Sequence, residues 1–280
     1  MIHAQALTYR YSAQDPPALQ DIDLEIPKGQ YVALIGPNGC GKTTLIKHFN
    51  ALLQPSEGIV CVDGLDTADP KSPPIIRQRV GMIFQNPDHQ IVGSTVEEDI
   101  AFGPGNLELP SSEIRERVSE ALHGVGMTHF AERPPQSLSG GEKQLLAIAG
   151  VLAMKPTYIA FDEPTSYLDP SARRRVLKVL KQLHKQGMTI IHIAHDMDEI
   201  VEADRILVMK EGRIILDDSP SAVFSNRDWL NSNGLAVPQI VELTFRLRQA
   251  GASLRPGILH LEDACTEIAA LMKAEQARKD

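Results

Sequence analysis

Lys42 and Thr43 close a stretch, Gly36-Pro37-Asn38-Gly39-Cys40-Gly41-Lys42-Thr43, that fits the P-loop pattern G-x-x-x-x-G-K-[ST]. Its glycines let the backbone curl until successive N–H groups point inward at phosphate oxygens. The start of the following helix adds partial positive charge at the same place. Lys42 has the reach to meet β- and γ-phosphates, and the Thr43 hydroxyl is placed to ligate Mg²⁺. Thr44 belongs to the same phosphate-binding set. The flanks suit the motif: Tyr31-Val32-Ala33-Leu34-Ile35 reads as a buried strand before it, and Leu45-Ile46-Lys47-His48-Phe49 as the first turns of a helix after it. A Gly-rich strand–helix turn without a ligand would not need Lys-Thr at its end.

Two carboxylates form the next chemical group. Tyr158-Ile159-Ala160-Phe161 is a short apolar strand that ends in Asp162-Glu163. A carboxylate at the end of a parallel strand beside a P-loop holds Mg²⁺, directly or through water, so Asp162 is the expected metal ligand with Thr43. Glu163 is one residue on and points differently. It is the expected group for polarising an attacking water. Ser139-Gly140-Gly141-Glu142 reads as a capping box at a helix start. Two glycines in that first turn cost backbone entropy, and they suit a phosphate that must approach the backbone closely. A further apolar strand, Thr189 to Ala194, ends in His195.

In order and spacing this set resembles the ATP-binding-cassette (ABC) ATPases over about residues 1–225: P-loop, Gln85 of a Q-loop, signature Leu138-Ser139-Gly140-Gly141-Glu142, the Asp162-Glu163 strand end, a D-loop Ser166-Tyr167-Leu168-Asp169, and the His195 H-loop. The resemblance implies an ATP-hydrolysing enzyme with ATP and Mg²⁺. It implies that Gln85 contacts Mg²⁺ or the water, and that His195 contacts the γ-phosphate and assists the water at Glu163. Tyr11 aligns with the aromatic that stacks on adenine, with Tyr9 as competitor. It also implies a dimer, homo- or heteromeric, in which Ser139, Gly140, Gly141 and Glu142 of one chain face ATP on the other chain's P-loop, with Asp169 at the interface. Cys40, Leu145 and Tyr167 depart from the usual Ser, Arg and Ala, and none removes a phosphate or metal ligand.

The segment Phe84-Gln85-Asn86-Pro87-Asp88-His89-Gln90-Ile91-Val92, with Thr95 to Pro104, resembles the ATPases of energy-coupling-factor (ECF) transporters, which import vitamins or transition-metal ions such as cobalt and nickel. The tail from Leu235 to Leu259 is similar to the short C-terminal domain of that group. The implied partners are a transmembrane coupling protein and a membrane substrate-binding subunit, with the ATPase peripheral on the cytoplasmic face of the cell membrane. Asp88, Glu97 and Glu98, with Asp99, are the expected coupling surface, meeting Arg residues of the membrane partner. An ordinary ABC importer is the alternative. A chromosome-maintenance ATPase is disfavoured because no heptads separate Thr43 from Leu138, and a translation-type one because there is a single cassette.

The chain has 280 residues, 42% hydrophobic and 23% charged, ordinary for a globular protein. A net charge of −8 argues against a nucleic-acid groove and against direct docking on anionic lipid. The longest nearly apolar run, Leu145 to Met154, falls short of the roughly 18 residues that span a bilayer, and no signal peptide is visible. Cys40, Cys61 and Cys265 are far apart and make neither a disulfide framework nor a metal site, which fits a reducing cytoplasm.

Strands alternating with helices make the expected fold α/β with a mostly parallel core sheet and an N-terminal antiparallel β region. The resemblance implies a P-loop NTPase with a helical subdomain at about 86–155, all within an ATP-binding domain of 1–230. Residues 2–9 and 20–26 are expected strands, Asp69 to Pro74 a surface loop, Ser111 to His123 a helix capped by Ser111 or Ser112, and Ser171 to Gln186 a helix whose Arg173-Arg174-Arg175 faces solvent. Beyond a linker at Asn231–Gly234, residues 235–280 read as a small helical domain. Its first helix is expected to bury Ile240, Leu243 and Leu247, and its second Leu261, Cys265, Ile268 and Met272. Two helices cannot bury such stripes alone, so they must pack on the main body or on another chain.

Overall fold

The computed structural model describes residues 1–276; the last four residues of the expected 235–280 unit lie outside the described residues. Two sheets organise the body. Strands β1 (Ile2–Tyr9), β2 (Leu19–Ile26), β4 (Glu57–Val62) and β5 (Leu65–Asp66) form an antiparallel sheet in the order β2-β1-β4-β5. Strands β3 (Tyr31–Ile35), β6 (Val80–Ile83), β7 (Tyr158–Asp162), β8 (Thr189–Ile193), β9 (Arg205–Lys210) and β10 (Arg213–Asp218) form the second, in the order β10-β9-β3-β8-β7-β6. All its pairs are parallel except the β9–β10 hairpin.

The central strands are apolar throughout because both faces are covered. Along β3 the residues alternate between two cores. Tyr31, Ala33 and Ile35 face the one built with helices α5 (Gly140–Leu152) and α6 (Pro170–Lys185). Val32 and Leu34 face the other, shared with helix α1 (Lys42–Phe49) and the inner face of the antiparallel sheet. Between β6 and β7 run helices α3 (Val96–Asn106), α4 (Ser111–Gly124) and then α5. Val118, Ala121 and Leu122 of α4 are buried at helical spacing against α5.

Several local expectations are corrected. Pro73 and Pro74 do not extend a loop: they occupy the first turn of helix α2 (Pro73–Arg79), where their missing N–H groups cost nothing. Neither Ser111 nor Ser112 caps α4; the flanking residue is Pro110, and no side chain bonds there. The linker at 231–234 is partly helical. Helices α7 (Pro220–Ser225) and α8 (Arg227–Ser232) run into it, leaving a turn at Asn233-Gly234.

The tail packs on the body. Leu235 is buried in the main core, and Val237, Val241 and Leu259 lie against it. Arg227 holds Glu242 of helix α9 (Gln239–Gln249) through Nε at 2.6 Å and Nη2 at 3.1 Å. The stripe on helix α10 (Leu261–Gln276) differs from expectation. Ala264 is buried against Ile240, Leu254 and Ile258, with Ile268 and Leu271 beside them. Leu261, Cys265, Met272 and, on α9, Leu243 are exposed. Leu254 and Ile258 of the segment between the two helices complete this small core.

Candidate nucleotide site

Helix α1 begins at a loop built for anions. Its flanking residue, Gly41, has φ 107°, with no side-chain cap and no acidic residue in the first turn. The first amides of the helix therefore face outward without internal partners. Glycine is required here twice over: the φ lies in the left-handed region, and an added Cβ would stand 2.6 Å from the Ala18 carbonyl. Lys42 is buried, and its ammonium donates to the carbonyls of Gly36 at 2.7 Å and Pro37 at 3.1 Å. The cation is thus held over the centre of the loop. Asn38 and Gly39 are exposed at its rim, and Cys40 is buried beneath, its thiol pushed up by burial against the lowering influence of Lys42.

Tyr11 stands on a bend beyond β1, 60% exposed, with its hydroxyl 2.8 Å from Thr44 Oγ1. Tyr9 packs edge-on against His48 inside the body. The two rings pack edge to face at 5.0 Å, with Tyr11 the exposed ring at the mouth of the loop and Tyr9 half-buried against the core.

Asp162 does not sit on a strand adjacent to β3, since β8 lies between. The side chains still meet: Thr43 Oγ1 donates to Asp162 Oδ1 at 2.9 Å. Burial pushes the Asp162 carboxyl up, and the Thr43 bond offsets part of this. The hydroxyl and carboxylate are hard oxygen donors of the kind Mg²⁺ takes.

Glu163 follows in a left-handed backbone, φ 51°, a conformation costly for a residue with a Cβ. That turn aims its carboxylate away from Asp162 and into a cluster. Gln85 Nε2 donates to Oε2 at 2.9 Å, Ser166 Oγ to the same oxygen at 3.0 Å, and His195 Nε2 stands 2.7 Å from Oε1. The cluster opens into a pocket of about 310 Å³. The sequence reading missed Ser166 as a contact of Glu163, although its place three residues on in a tight turn was a signal.

The signature forms the expected capping box. Ser139 Oγ and the Ser139 amide both donate to Glu142 Oε2 at 2.7 Å, which lowers the Glu142 carboxyl. Gly141 has a packing cause that sequence did not show: an added Cβ would stand 2.4 Å from Ala172 Cβ on α6. Gly140 has no such neighbour and is exposed. Asp169 caps α6, accepting from the Ser171 and Ala172 amides at 2.8 and 3.0 Å, and these bonds lower its carboxyl. Tyr167 beside it is 78% exposed. Among the described residues no hydrogen bond joins the signature to the P-loop of the same chain.

The expected coupling carboxylates separate into three kinds. Asp99 is buried, with Oδ1 accepting from the amides of Val92 and Gly93 at 2.7 and 2.8 Å, so it shapes the loop and cannot meet a partner. Asp88 pairs with Lys143 of α5 at 2.7 Å. Glu97 and Glu98 are exposed in the first turn of α3, after the Thr95 cap. Nearby, Met82, Gln90, Val92, Phe102, Val151 and Met154 line a groove of about 260 Å³ whose Val92 and Phe102 are exposed.

Residues 19–166 match the ABC transporter family. The chain is 55% identical to the cobalt import ATP-binding protein CbiO of Syntrophus aciditrophicus over 96% of both chains. The chain belongs to the ABC transporter ATP-binding family. It is also 50% identical to the energy-coupling factor transporter ATP-binding protein EcfA1 of Caldanaerobacter subterraneus, covering 94% of this chain and 96% of that relative. Among solved structures, cbiO1 of Clostridium perfringens, described as part of the ABC transporter complex cbiONQ, superposes with a TM-score of 0.76 at 37% identity, covering 89% of this chain and 96% of that one. As an ABC transporter ATP-binding chain it binds ATP and is an ATPase. No helix among the described residues is long and apolar enough to cross a membrane.

Proposed function

We propose that this chain is the MgATP-hydrolysing subunit of an ECF-type importer for a vitamin or a transition-metal ion of the cobalt and nickel class. The single observation that carries the hydrolytic reading is the Glu163 carboxylate, held by Gln85, Ser166 and His195 one residue beyond Asp162. Names of relatives identical at 50% and more over nearly the full length support the transport reading.

ATP lies with its phosphates on the amides of Gly36 to Thr44 and its β/γ oxygens at Lys42, and its adenine on Tyr11. Thr43 and Asp162, with Gln85, would hold Mg²⁺, which would supply neutralisation of charge on the phosphate oxygens. Glu163 accepts a proton from the attacking water, and His195 keeps the carboxylate turned toward it. Ser139 and Gly140 face solvent, and among the described residues no hydrogen bond joins them to the P-loop of their own chain, which supports a two-chain sandwich with Asp169 and Tyr167 near the seam. Residues 1–230 act as the ATP-binding domain, and 235–280 as a small accessory unit.

The chain works peripherally at the cytoplasmic face of the membrane. The Phe102–Val92 groove and the exposed Glu97 and Glu98 receive the transmembrane coupling protein, and a membrane substrate-binding subunit selects the cargo. The test is ATP hydrolysis and labelled cobalt or nickel uptake with the assembled complex. Lys42→Ala should lose ATP binding. Glu163→Gln should keep it, form more dimer with MgATP on size exclusion and stop both hydrolysis and uptake. Near-normal hydrolysis by Glu163→Gln would sink the assignment.

A further inference from the structure

Behind the Glu163 cluster lies a second carboxylate, Glu199, whose side chain is 4% exposed. Burying an ion is costly unless it is paired and hydrogen-bonded, and an apolar residue would fill the space more cheaply. What Glu199 touches gives a reason for its presence. Thr165 Oγ1 lies 2.8 Å from both of its oxygens. Arg173 Nε stands 3.4 Å from Oε1, at ion-pair distance without hydrogen-bond alignment. The same guanidinium donates through Nη1 to Asp196 Oδ2 at 2.8 Å. On the far side, His192 Nε2 is 3.8 Å from Oε2, while its Nδ1 meets the Tyr31 hydroxyl at 2.8 Å.

These contacts tie three segments together. Thr165 is buried two residues after Glu163, inside the turn whose left-handed start must be held in place. Asp196 is the residue after His195 and caps the turn Met197–Glu199. Arg173 follows Ala172, the residue on which Gly141 of the signature helix packs. One carboxylate, and one guanidinium on α6, therefore reach the segments that carry Glu163 and His195. The ladder between β7 and β8 carries the register as far as the Glu163 amide, which donates to the Ile193 carbonyl at 3.1 Å. Past that bond both segments turn away from the sheet, and Glu199 with Arg173, from helix α6, joins the two turns.

We propose that Glu199, with Arg173, is a positioning residue for hydrolysis: it sets the Glu163 turn against the His195 turn, and it does not itself touch nucleotide. This rests on the reading of Glu163 and His195 as the hydrolytic pair. A buried ion pair with only a structural role would change folding and leave turnover per folded site intact. A group that sets register would change turnover with little change in nucleotide affinity, because misplacing a reacting group by about an ångström is enough to cost as much as 10²-fold.

The experiment uses the full chain in its complex, with MgATP. Glu199→Gln keeps the shape and an acceptor for Thr165 but removes the charge facing Arg173. Arg173→Gln cuts the tie from the half-exposed side and decides the matter if Glu199→Gln does not fold. Nucleotide-binding sites are counted by equilibrium titration, and kcat is expressed per site. Both variants should lose about tenfold or more in kcat, with KM and nucleotide Kd within about twofold. Arg173→Lys, which restores a cation, should recover part of the loss. Wild-type kcat per binding site, with only a lower Tm, would overturn the positioning role. Glu163→Gln is run alongside. If it still hydrolyses ATP, the hydrolytic reading itself fails; if it is inactive while the other two turn over normally, only the inference about Glu199 fails.

Discussion

His195 Nε2 lies 2.7 Å from Glu163 Oε1, across the ends of two neighbouring parallel strands. The same carboxylate receives Gln85 from the end of a third strand, β6. In the proposed mechanism the imidazole orients the carboxylate and not the metal. His195→Ala is therefore expected to lower kcat by about 10²–10⁴-fold, the range of a lost acid–base arrangement, with ATP affinity changed by only a few fold. Steady-state hydrolysis beside equilibrium nucleotide titration checks both halves.

The two signature glycines should behave differently. Gly141→Ala drives a methyl to 2.4 Å from Ala172 Cβ, so α5 and α6 must part. A cost of about 1–3 kcal/mol is expected, seen as a lower denaturation midpoint. Gly140→Ala meets nothing closer than Leu168 at 3.9 Å. It should leave the midpoint nearly unchanged and lower ATPase activity, if that face receives the other chain's nucleotide. Unchanged activity in Gly140→Ala would remove the trans-site reading.

His192 gives the stability a pH dependence. It is fully buried, and desolvation lowers its pKa from 6.5 to about 3. The unfolded chain binds this proton below pH 6.5 while the folded chain does not. The contribution is thus fully present above about 6.5 and is lost as pH falls toward 3, at about 1.4 kcal/mol per pH unit well inside that window. Urea denaturation at stepped pH should show this slope in the wild type and a shallower one in His192→Gln. Equal slopes would mean that another group carries the acid limb.

At the proposed membrane-facing surface, Glu97 and Glu98 are exposed and have no ion pair among the described residues, and Asp88 is held by Lys143. Glu97→Ala with Glu98→Ala should leave ATPase activity of the isolated chain within about twofold while reducing co-purification with the membrane partner and substrate uptake, since such charges set register and specificity. Phe102→Asp, which places a charge in the apolar groove, should have the larger effect on assembly. If uptake survives both changes, the partner docks elsewhere.

Much was legible in the residues alone. The P-loop, the Asp162-Glu163 strand end, the capping box at Ser139 and the apolar strands are short-range patterns. Each specifies backbone geometry within a few residues, so spacing is enough to read it. Fold class followed from strands alternating with helices. Tertiary structure decided what faces what. It inserted β8 between the P-loop strand and the Asp162 strand, turned Asp99 inward to hold a loop, and paired Asp88 with Lys143. It gave Gly141 a packing cause, left Leu261 and Met272 exposed while Ala264 went inside, and gathered Glu199, Arg173 and Thr165 behind the site. These contacts join residues far apart in the chain. Their choice depends on the volume and charge that neighbouring elements bring, and no local spacing encodes that.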